Sequence, residues 1–403
     1  MHPTPHARVA VHGTALALAL LLAGSLGSAV PAGASELTFH GLLDLVIAPR
    51  GTAYDYNVFA RGDSPFDAYG ARIFADGKVS DRLEVVAQLV LRDATSLYVD
   101  GVYASYQPFA GRDLSLMAGK VPWAIGTYAP RTYSNENPLV GTPLMYQYHS
   151  TLVWYAIPPT ADALLATAGQ GAYGVNYFGY PMGLGMAIVD DSYWDVGVTV
   201  TGSTRPVEYA AGIVAGTPGW GSTSKDENSG KSLLGRIGLM PLPGLRVGAS
   251  AAYGPYLVEE LNASLPAGRS VGDYHQKLAM VDLEVQRGHV ELRAEGAYNV
   301  WETPTVGDLE VRGGYIELKY LMPFGGFVAG RWDALRFGEI ADSSGQMLPW
   351  DCNVNRVESG FGYRFSRDAT AKLIYQRTDL GVPGTADQTQ QHDMVAAQLS
   401  ISF

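Results

Sequence analysis

Charged side chains recur at every second position in several segments of this sequence. Glu291, Arg293 and Glu295, for example, alternate with apolar residues. In a β-strand this spacing puts the charges on one face and the apolar side chains on the other. Charges of both signs along one wall set the electrostatic potential of a water-filled passage, so the chemistry they indicate is selection among solutes.

The candidates for lining such a passage are ionisable residues on alternating segments or in one long connection. They are Arg72, Arg92, Lys120, Arg131, Glu136, His149, Arg293, Glu295, Arg331 and Asp333. For any one of them the simpler interpretation is that it pairs with a neighbour across the sheet. As a set, they predict a wet interior.

Residue patterns typical of catalysis, metal binding or cofactor binding are scarce. The histidines beyond residue 35 stand singly, and Cys352 is the only cysteine, so no spacing suits a metal. Residues 169–174 match a dinucleotide-binding glycine pattern by letter, but no strand leads into them and no helix follows. We predict no catalytic residue, no cofactor, no metal and therefore no enzyme.

The elements that must position the charges are strands, because alternation with a period of two extends over almost the whole chain. In the last segment Val395 and Leu399 would face lipid while Gln398 and Ser400 would face the lumen, and the chain ends on Phe403. Short turns are predicted at 80–82, 241–244, 287–288, 322–325 and 366–368. Longer polar connections near 49–65, 217–230, 255–274, 338–352 and 380–391 would be external loops.

The number of alternating segments predicts the fold class. We count about eighteen strands, and sixteen remains open because the pattern is weak near 150–178. Sixteen to eighteen antiparallel strands close into a transmembrane barrel with a water-filled bore. We therefore predict an all-β outer-membrane barrel over residues 35–403.

The first 34 residues predict export. They combine a weakly basic start at Arg8, an apolar run over 15–23 and the small residues Ala32, Gly33 and Ala34, which is typical of a cleaved signal peptide. Beyond them no apolar run reaches the roughly 18 residues that a membrane helix needs. The formal charge of -11, with no basic cluster, disfavours nucleic-acid binding and an anion-selective pore.

One connection, at about 122–168, is the longest and is rich in aromatic residues. A long connection without secondary structure in a compact domain is usually functional or disordered. This one is apolar, unlike a solvated tail. We expect it to fold inward as the third loop and to narrow the pore.

Three features together resemble the porin superfamily, most nearly the phosphate-selective porins O and P. They are Gly119-Lys120 with Pro122, the run Glu136-Asn137-Pro138, and the terminal Phe403. The resemblance implies a constricting third loop, anion selection by basic lumen residues, a homotrimer, contact with outer-membrane lipid and lipopolysaccharide, and recognition of Phe403 by the barrel assembly machinery. Only Lys120 and Arg131 are basic in the matching segment, and the chain has seven lysines.

The sequence thus predicts an outer-membrane porin for passive diffusion of small hydrophilic solutes or ions. Two alternatives remain. A barrel enzyme would need a nucleophile, a base and an orienting group together, such as a histidine near a serine in a loop or on the outer wall. A structural or adhesive barrel would have its lumen plugged by the third connection.

Overall fold

The structure is a computed structural model of the chain. It describes residues 36–48, 68–92, 96–173, 185–191, 193–221, 228–384 and 389–403. The predicted signal peptide and most of the first external loop lie outside these ranges.

Sixteen strands in the described ranges form one closed antiparallel barrel, in which the first strand pairs with the last. In chain order the barrel strands are β1 (Glu36–Ile47), β2 (Ala68–Ser80), β3 (Leu83–Arg92), β4 (Ser96–Tyr106), β5 (Asp113–Pro122), β6 (Trp194–Thr204), β7 (Val207–Val214), β8 (Ser232–Leu242), β9 (Leu245–Pro255), β10 (His275–Arg287), β11 (Val290–Thr303), β12 (Gly307–Leu321), β13 (Gly326–Phe337), β16 (Asn353–Arg364), β17 (Ala369–Gly381) and β18 (Thr389–Ser402). A small separate hairpin, β14 (Glu339–Ala341) with β15 (Met347–Pro349), lies between β13 and β16.

The predicted all-β barrel is confirmed, with sixteen strands as the lower of the two predicted counts. The described part of the weak region near 150–178 carries no barrel strand. Short helices occur instead in the connection that contains it, namely α1 (Leu144–Gln147), α2 (Ala161–Leu165) and 3-10 turns at Ala129–Arg131 and Gly171–Tyr173. Two further 3-10 segments, Glu259–Ser264 and Val271–Asp273, lie between β9 and β10. Among the described residues, no helix is long and apolar enough to cross a bilayer.

Several wall strands have an apolar outer face and a polar inner face at mid-height, as β12 and β18 show. On β12, Ile316 and Leu318 are about half exposed outside, while Glu317 between them is 2% exposed inside. On β18, Val395 is exposed whereas Gln398 and Ser400 are buried, as alternation predicted. An apolar outer band of this kind matches the hydrocarbon core of a bilayer.

Connections differ in length at the two ends of the barrel. At one end, which we call the short-turn end, strands are joined over 81–82, 107–112, 205–206, 243–244, 288–289, 322–325 and 365–368. The predicted short turns all fall there. At Gly244 and Gly288 the backbone has φ of 78° and 59°, the left-handed region that favours glycine. The predicted loops near 255–274 and 338–352 lie at the opposite, long-loop end, as do the described parts of those near 217–230 and 380–391. The predicted loop near 49–65 lies outside the described residues.

Candidate functional site

The third connection at the long-loop end joins β5 to β6 and spans residues 123–193, which we call the third loop. It starts where the sequence predicted, and within the described residues the next barrel strand begins at Trp194, well beyond residue 168. Its ends meet where Trp123 N donates to Tyr193 O at 2.9 Å. Inside the barrel, Gly126 N donates to Ser250 Oγ on β9 at 3.0 Å, and Thr127 Oγ1 donates to Glu295 on β11 at 2.6 Å.

A buried network of ion pairs binds the third loop to the wall. Arg331 on β13 has a fully buried side chain and lies 3.1 Å from Asp333, 3.4 Å from Glu317 and 2.7 Å from Glu358. Arg131 of the loop pairs with the same Glu317. A buried charge is tolerated only when it is paired in this way, so the network ties the position of the loop to these wall residues.

The wall carboxylates also receive backbone N–H groups of the loop. Glu358 accepts from Val140 N at 3.0 Å and from Gly141 N at 2.9 Å, and Asp333 accepts from Leu144 N at 3.0 Å. Gly141 O in turn accepts from Arg331 Nη2 at 2.8 Å. Hydrogen bonds to ionised groups are stronger than neutral ones, so this turn of the loop is held firmly.

A lysine that sequence reasoning did not single out anchors the neighbouring turn. Lys372 on β17 donates to the carbonyls of Ser134, Asn137 and Leu139 at 2.7–3.0 Å. Asn137 closes the turn through its own side chain, which accepts from Leu139 N at 3.1 Å. Lys372 could have been identified from the sequence, because alternation places it on the lumen face of its strand and the chain has only seven lysines.

Part of the lumen is a dry hydrophobic core. The loop aromatics Tyr128, Tyr146 and Tyr193 pack together, with the Tyr128 and Tyr146 rings stacked at 5.2 Å. Lumen-facing residues near the long-loop ends of the wall strands, such as Val311 and Leu335, are at most 1% exposed beneath the loop. The prediction of a wet interior is wrong for this part of the lumen, because the loop covers the wall there.

The third loop also contacts the opposite side of the lumen. Tyr133 OH donates to Gln88 Oε1 on β3 at 2.7 Å, and the ring of Tyr133 packs against Phe74 on β2. The Arg72 guanidinium lies 5.6 Å from the centre of the same ring and pairs with Asp44 at 3.5 Å. The loop therefore crosses the lumen from β12 to β3.

Four of the ten predicted lining residues lie buried between the third loop and the wall instead of on an open surface. Arg131, Glu295, Arg331 and Asp333 are each at most 5% exposed, and each bonds across or beside the contact between loop and wall. His149 is buried within the loop and its Nδ1 bonds to Gly185 O. The hydroxyl of the neighbouring Ser150 donates to Met186 O at 2.8 Å. Glu136 is exposed, and the Arg72 side chain is partly exposed.

Three further predicted residues have other placements. Lys120 on β5 pairs in register with Val102 and Val196, which face outward, so its side chain starts from the outer wall and does not line the lumen. The backbone of Arg92 pairs with Gly70, but its side chain lies outside the described part of the structure. Phe403 is 75% exposed and pairs through its backbone with Gly41.

The short-turn end of the barrel holds an open cavity of about 570 Å³, lined by both apolar and charged residues. Arg246, Glu284 and Arg293 line it. Arg293, a predicted site residue, lies 3.5 Å from Glu284 and 3.7 Å from Glu291, and its side chain is 25% exposed. Of the three alternating charges of β11, Arg293 and Glu291 line this cavity, whereas Glu295 is buried beneath the third loop. Across the described residues, no group of three histidine, cysteine, aspartate or glutamate side chains could hold a metal ion.

Asp351 links the third loop to the connection between β13 and β16. It accepts from Thr151 N and Gly169 N, each at 2.7 Å, and from Tyr148 OH at 3.0 Å. Burial raises the pKa of Asp351 to about 6, although these donors lower it. Because the folded pKa lies above the value of about 3.9 for a free aspartate, the buried carboxylate destabilises the contact above pH 6, and protonation relieves this as the pH falls.

We therefore predict that the amides of Thr151 and Gly169 are better protected from hydrogen exchange at pH 4.5 than at pH 7.5, after correction for intrinsic rates. The Asp351→Asn variant should lose this difference. Stronger protection at the higher pH would contradict the prediction.

Comparisons with known proteins establish the fold. No protein-family model and no curated protein matches the chain. Among solved structures, the chain is similar to a trimer form of OmpT, an outer membrane protein of Vibrio cholerae, with TM-score 0.53 at 12% identity over 92% of this chain and all of that one. An anion-selective porin from Comamonas acidovorans matches with TM-score 0.54 at 11% identity over 92% of this chain and all of that one. Salmonella typhi OmpF, in complex with daunomycin, matches with TM-score 0.54 at 14% identity over 93% and 99%.

The fold is therefore the sixteen-stranded antiparallel β-barrel found in these outer-membrane proteins and porins. Within its lumen lies the third loop, bound to the wall by the contacts described above.

Proposed function

We propose that the chain is an outer-membrane porin through which small hydrophilic solutes or ions diffuse passively. The observation that carries this proposal is the combination of an apolar outer wall with an open cavity of about 570 Å³ at the short-turn end, lined in part by charged side chains. The third loop sets the size limit, because it crosses the lumen and is bound to both sides of it.

The same geometry favours solutes other than phosphate. Lys120 and Arg131 are the basic residues in the segment that resembles phosphate-selective porins. Lys120 starts from the outer wall and Arg131 is paired with Glu317, so neither offers a free positive charge to an anion in the lumen.

A plugged structural or adhesive barrel is the second candidate. It is favoured by one observation, the reach of the third loop from Glu317 on β12 to Gln88 on β3. It differs from the porin in having no solute flux.

Three further proposals concern the molecules that this porin contacts in the membrane and during assembly. We propose that the wall contacts outer-membrane lipid and lipopolysaccharide, that the barrel assembles as a homotrimer, and that Phe403 is recognised by the assembly machinery.

Liposome swelling with neutral sugars of increasing size tests the proposal. Purified barrel in liposomes should admit the smallest sugars and exclude larger ones, with the cutoff raised when the third loop is loosened. Liposomes that hold folded barrel and show no swelling with any sugar would favour the plugged barrel.

A further inference from the structure

A chain of charges of alternating sign lines the lumen at the short-turn end. Its first members are Asp282 on β10, Arg236 on β8 and Glu208 on β7. Arg236 Nη2 lies 2.7 Å from Asp282 Oδ1, and Arg236 Nη1 lies 2.5 Å from Glu208 Oε1. One guanidinium therefore joins two carboxylates that belong to different strands.

The alternation continues toward the cavity. Arg246 on β9 lies 3.4 Å from Glu208 and 3.2 Å from Glu284 on β10. Glu284 in turn lies 3.5 Å from Arg293 on β11. We call this series, from Asp282 to Arg293, the charge ladder. Beyond it, Glu291 and Lys319 continue the alternation at 3.5–3.7 Å.

A glycine makes the first step of the ladder possible. Arg236 on β8 reaches Asp282 on β10 by passing over β9 at Gly248. A Cβ at Gly248 would lie 2.5 Å from Arg236 Nη2 and 2.5 Å from Asp282 Oδ2. The backbone of β9 thus leaves room for the guanidinium.

The exposed part of the ladder faces solvent in the lumen. Arg246 is 39% exposed, Glu284 22% and Arg293 25%, and all three line the cavity of about 570 Å³. The side chains of Asp282 and Arg236, by contrast, are 2% and 11% exposed, so these two members of the ladder are largely shielded from the solvent in the lumen. A solute in the cavity meets Arg246, Glu284 and Arg293 of the ladder, together with Arg205 and Glu291, which also line it.

The balance of the ladder determines which solutes it favours. Three carboxylates and three guanidinium groups give it no net charge, so a simple ion is attracted by one member and repelled by the next. A zwitterion can place its carboxylate near Arg246 or Arg293 and its ammonium group near Glu284. Side chains on neighbouring strands are about 5 Å apart, a spacing that both ends of a small amino acid can meet.

We infer that the charge ladder is a binding track for zwitterionic solutes of amino-acid type, with Arg246 and Glu284 as its specificity-determining residues. This inference rests on the proposed porin function. It adds a substrate class that is set by the wall at the short-turn end and not by the third loop.

Two isomeric probes test the track by liposome swelling. Glycine is a zwitterion and glycolamide is its neutral isomer, so their sizes match. The wild-type barrel should admit glycine faster than glycolamide. In Glu284→Gln and in Arg246→Gln the ratio of the two rates should fall by about threefold, the effect expected for a partly exposed charge. The Arg312→Gln control removes a charge from the outer wall, beside Tyr298, and should leave the ratio unchanged.

Reversal potentials in a salt gradient separate a role in the track from a structural role. The wild type should discriminate little between cations and anions. Glu284→Gln should shift the selectivity toward anions and Arg246→Gln should shift it toward cations. If the two residues act only through their shared ion pair, both substitutions should shift the selectivity in the same way. The track alone is overturned if the barrel conducts but the two variants shift the selectivity equally. It is also overturned if the wild-type barrel admits glycine no faster than glycolamide. Folded barrels that pass neither current nor solute overturn the porin proposal and the track with it.

Discussion

Replacing Arg331 by alanine is expected to detach the third loop from the wall and to raise the single-channel conductance. Arg331 is the positive charge shared by Asp333, Glu317 and Glu358, all at most 2% exposed. Removing one partner from a buried ion network costs about 3–5 kcal/mol, because the remaining charges are left uncompensated. The three carboxylates belong to the wall, but they also bind the loop through Arg131 and through the N–H groups of Val140, Gly141 and Leu144, and Arg331 itself donates to Gly141 O. The wall keeps its strand-to-strand hydrogen bonds, so we expect part of the cost to fall on the contact between loop and wall.

Trypsin gives an independent readout of the same change. Arg131 is 5% exposed in the third loop, and cleavage after it requires the loop to leave the wall. The wild-type barrel should resist cleavage there and Arg331→Ala should be cut quickly. Arg312→Ala on the outer wall is the matched control and should behave as wild type. If Arg331→Ala does not refold, Arg131→Gln tests the same prediction, because it removes the charge that the third loop contributes to the network. Trypsin is then replaced by a protease of another specificity, since this variant lacks the arginine after which trypsin cuts. Unchanged conductance and unchanged protection in a folded variant would contradict it.

The second large effect is expected from Tyr128→Ala. Tyr128 is fully buried in the third loop, where its ring stacks on Tyr146 at 5.2 Å and packs edge-on against Tyr315 of β12 at 6.3 Å. Truncating a buried aromatic side chain to alanine costs about 3–5 kcal/mol, since contacts are lost and a cavity remains. The loop should open more often, which would be seen as noisy conductance and faster hydrogen exchange in residues 124–148.

Tyr128→Phe provides the control for this prediction. It keeps the ring and removes only the hydroxyl that accepts from Asn137 Nδ2 at 3.0 Å. The loss of one hydrogen bond of this kind costs about 1 kcal/mol, so the phenylalanine variant should lie much closer to wild type than the alanine variant. Equal effects of the two substitutions would show that the ring does not hold the loop.

The wall of this barrel could be predicted from the sequence, because the period-two pattern depends only on residues that are close together in the chain. β10 and β11 join through the tight turn at 288–289, and their charged and apolar faces separate as the spacing of Glu291, Arg293 and Glu295 indicated. The position of the third loop was also predictable, since the pattern of strands breaks after β5.

The contents of the lumen were not predictable in the same way. Period-two spacing shows which side chains share a face, but not whether another segment covers that face. The pair Arg131–Glu317 joins residues 186 positions apart, and no local pattern indicates such a contact. Lys120 shows the related limit for a single residue, because its motif gave no information on which face of β5 it occupies.

A weaker signal for the filled lumen does exist. Near the long-loop end of β13, Leu335 and Phe337 are apolar at lumen-facing positions, and both are at most 6% exposed. A lumen wall in contact with water would carry polar residues there. Apolar residues on both faces near the long-loop end of a strand thus indicate a segment folded into the bore.

Single-channel recording of the refolded protein in planar bilayers tests the central claim most directly. We expect stable unitary openings from the wild-type barrel and larger ones from Arg331→Ala, because the loop that limits the passage is then released. Folded barrels that give no openings in either variant would contradict the account and identify the molecule as a plugged barrel.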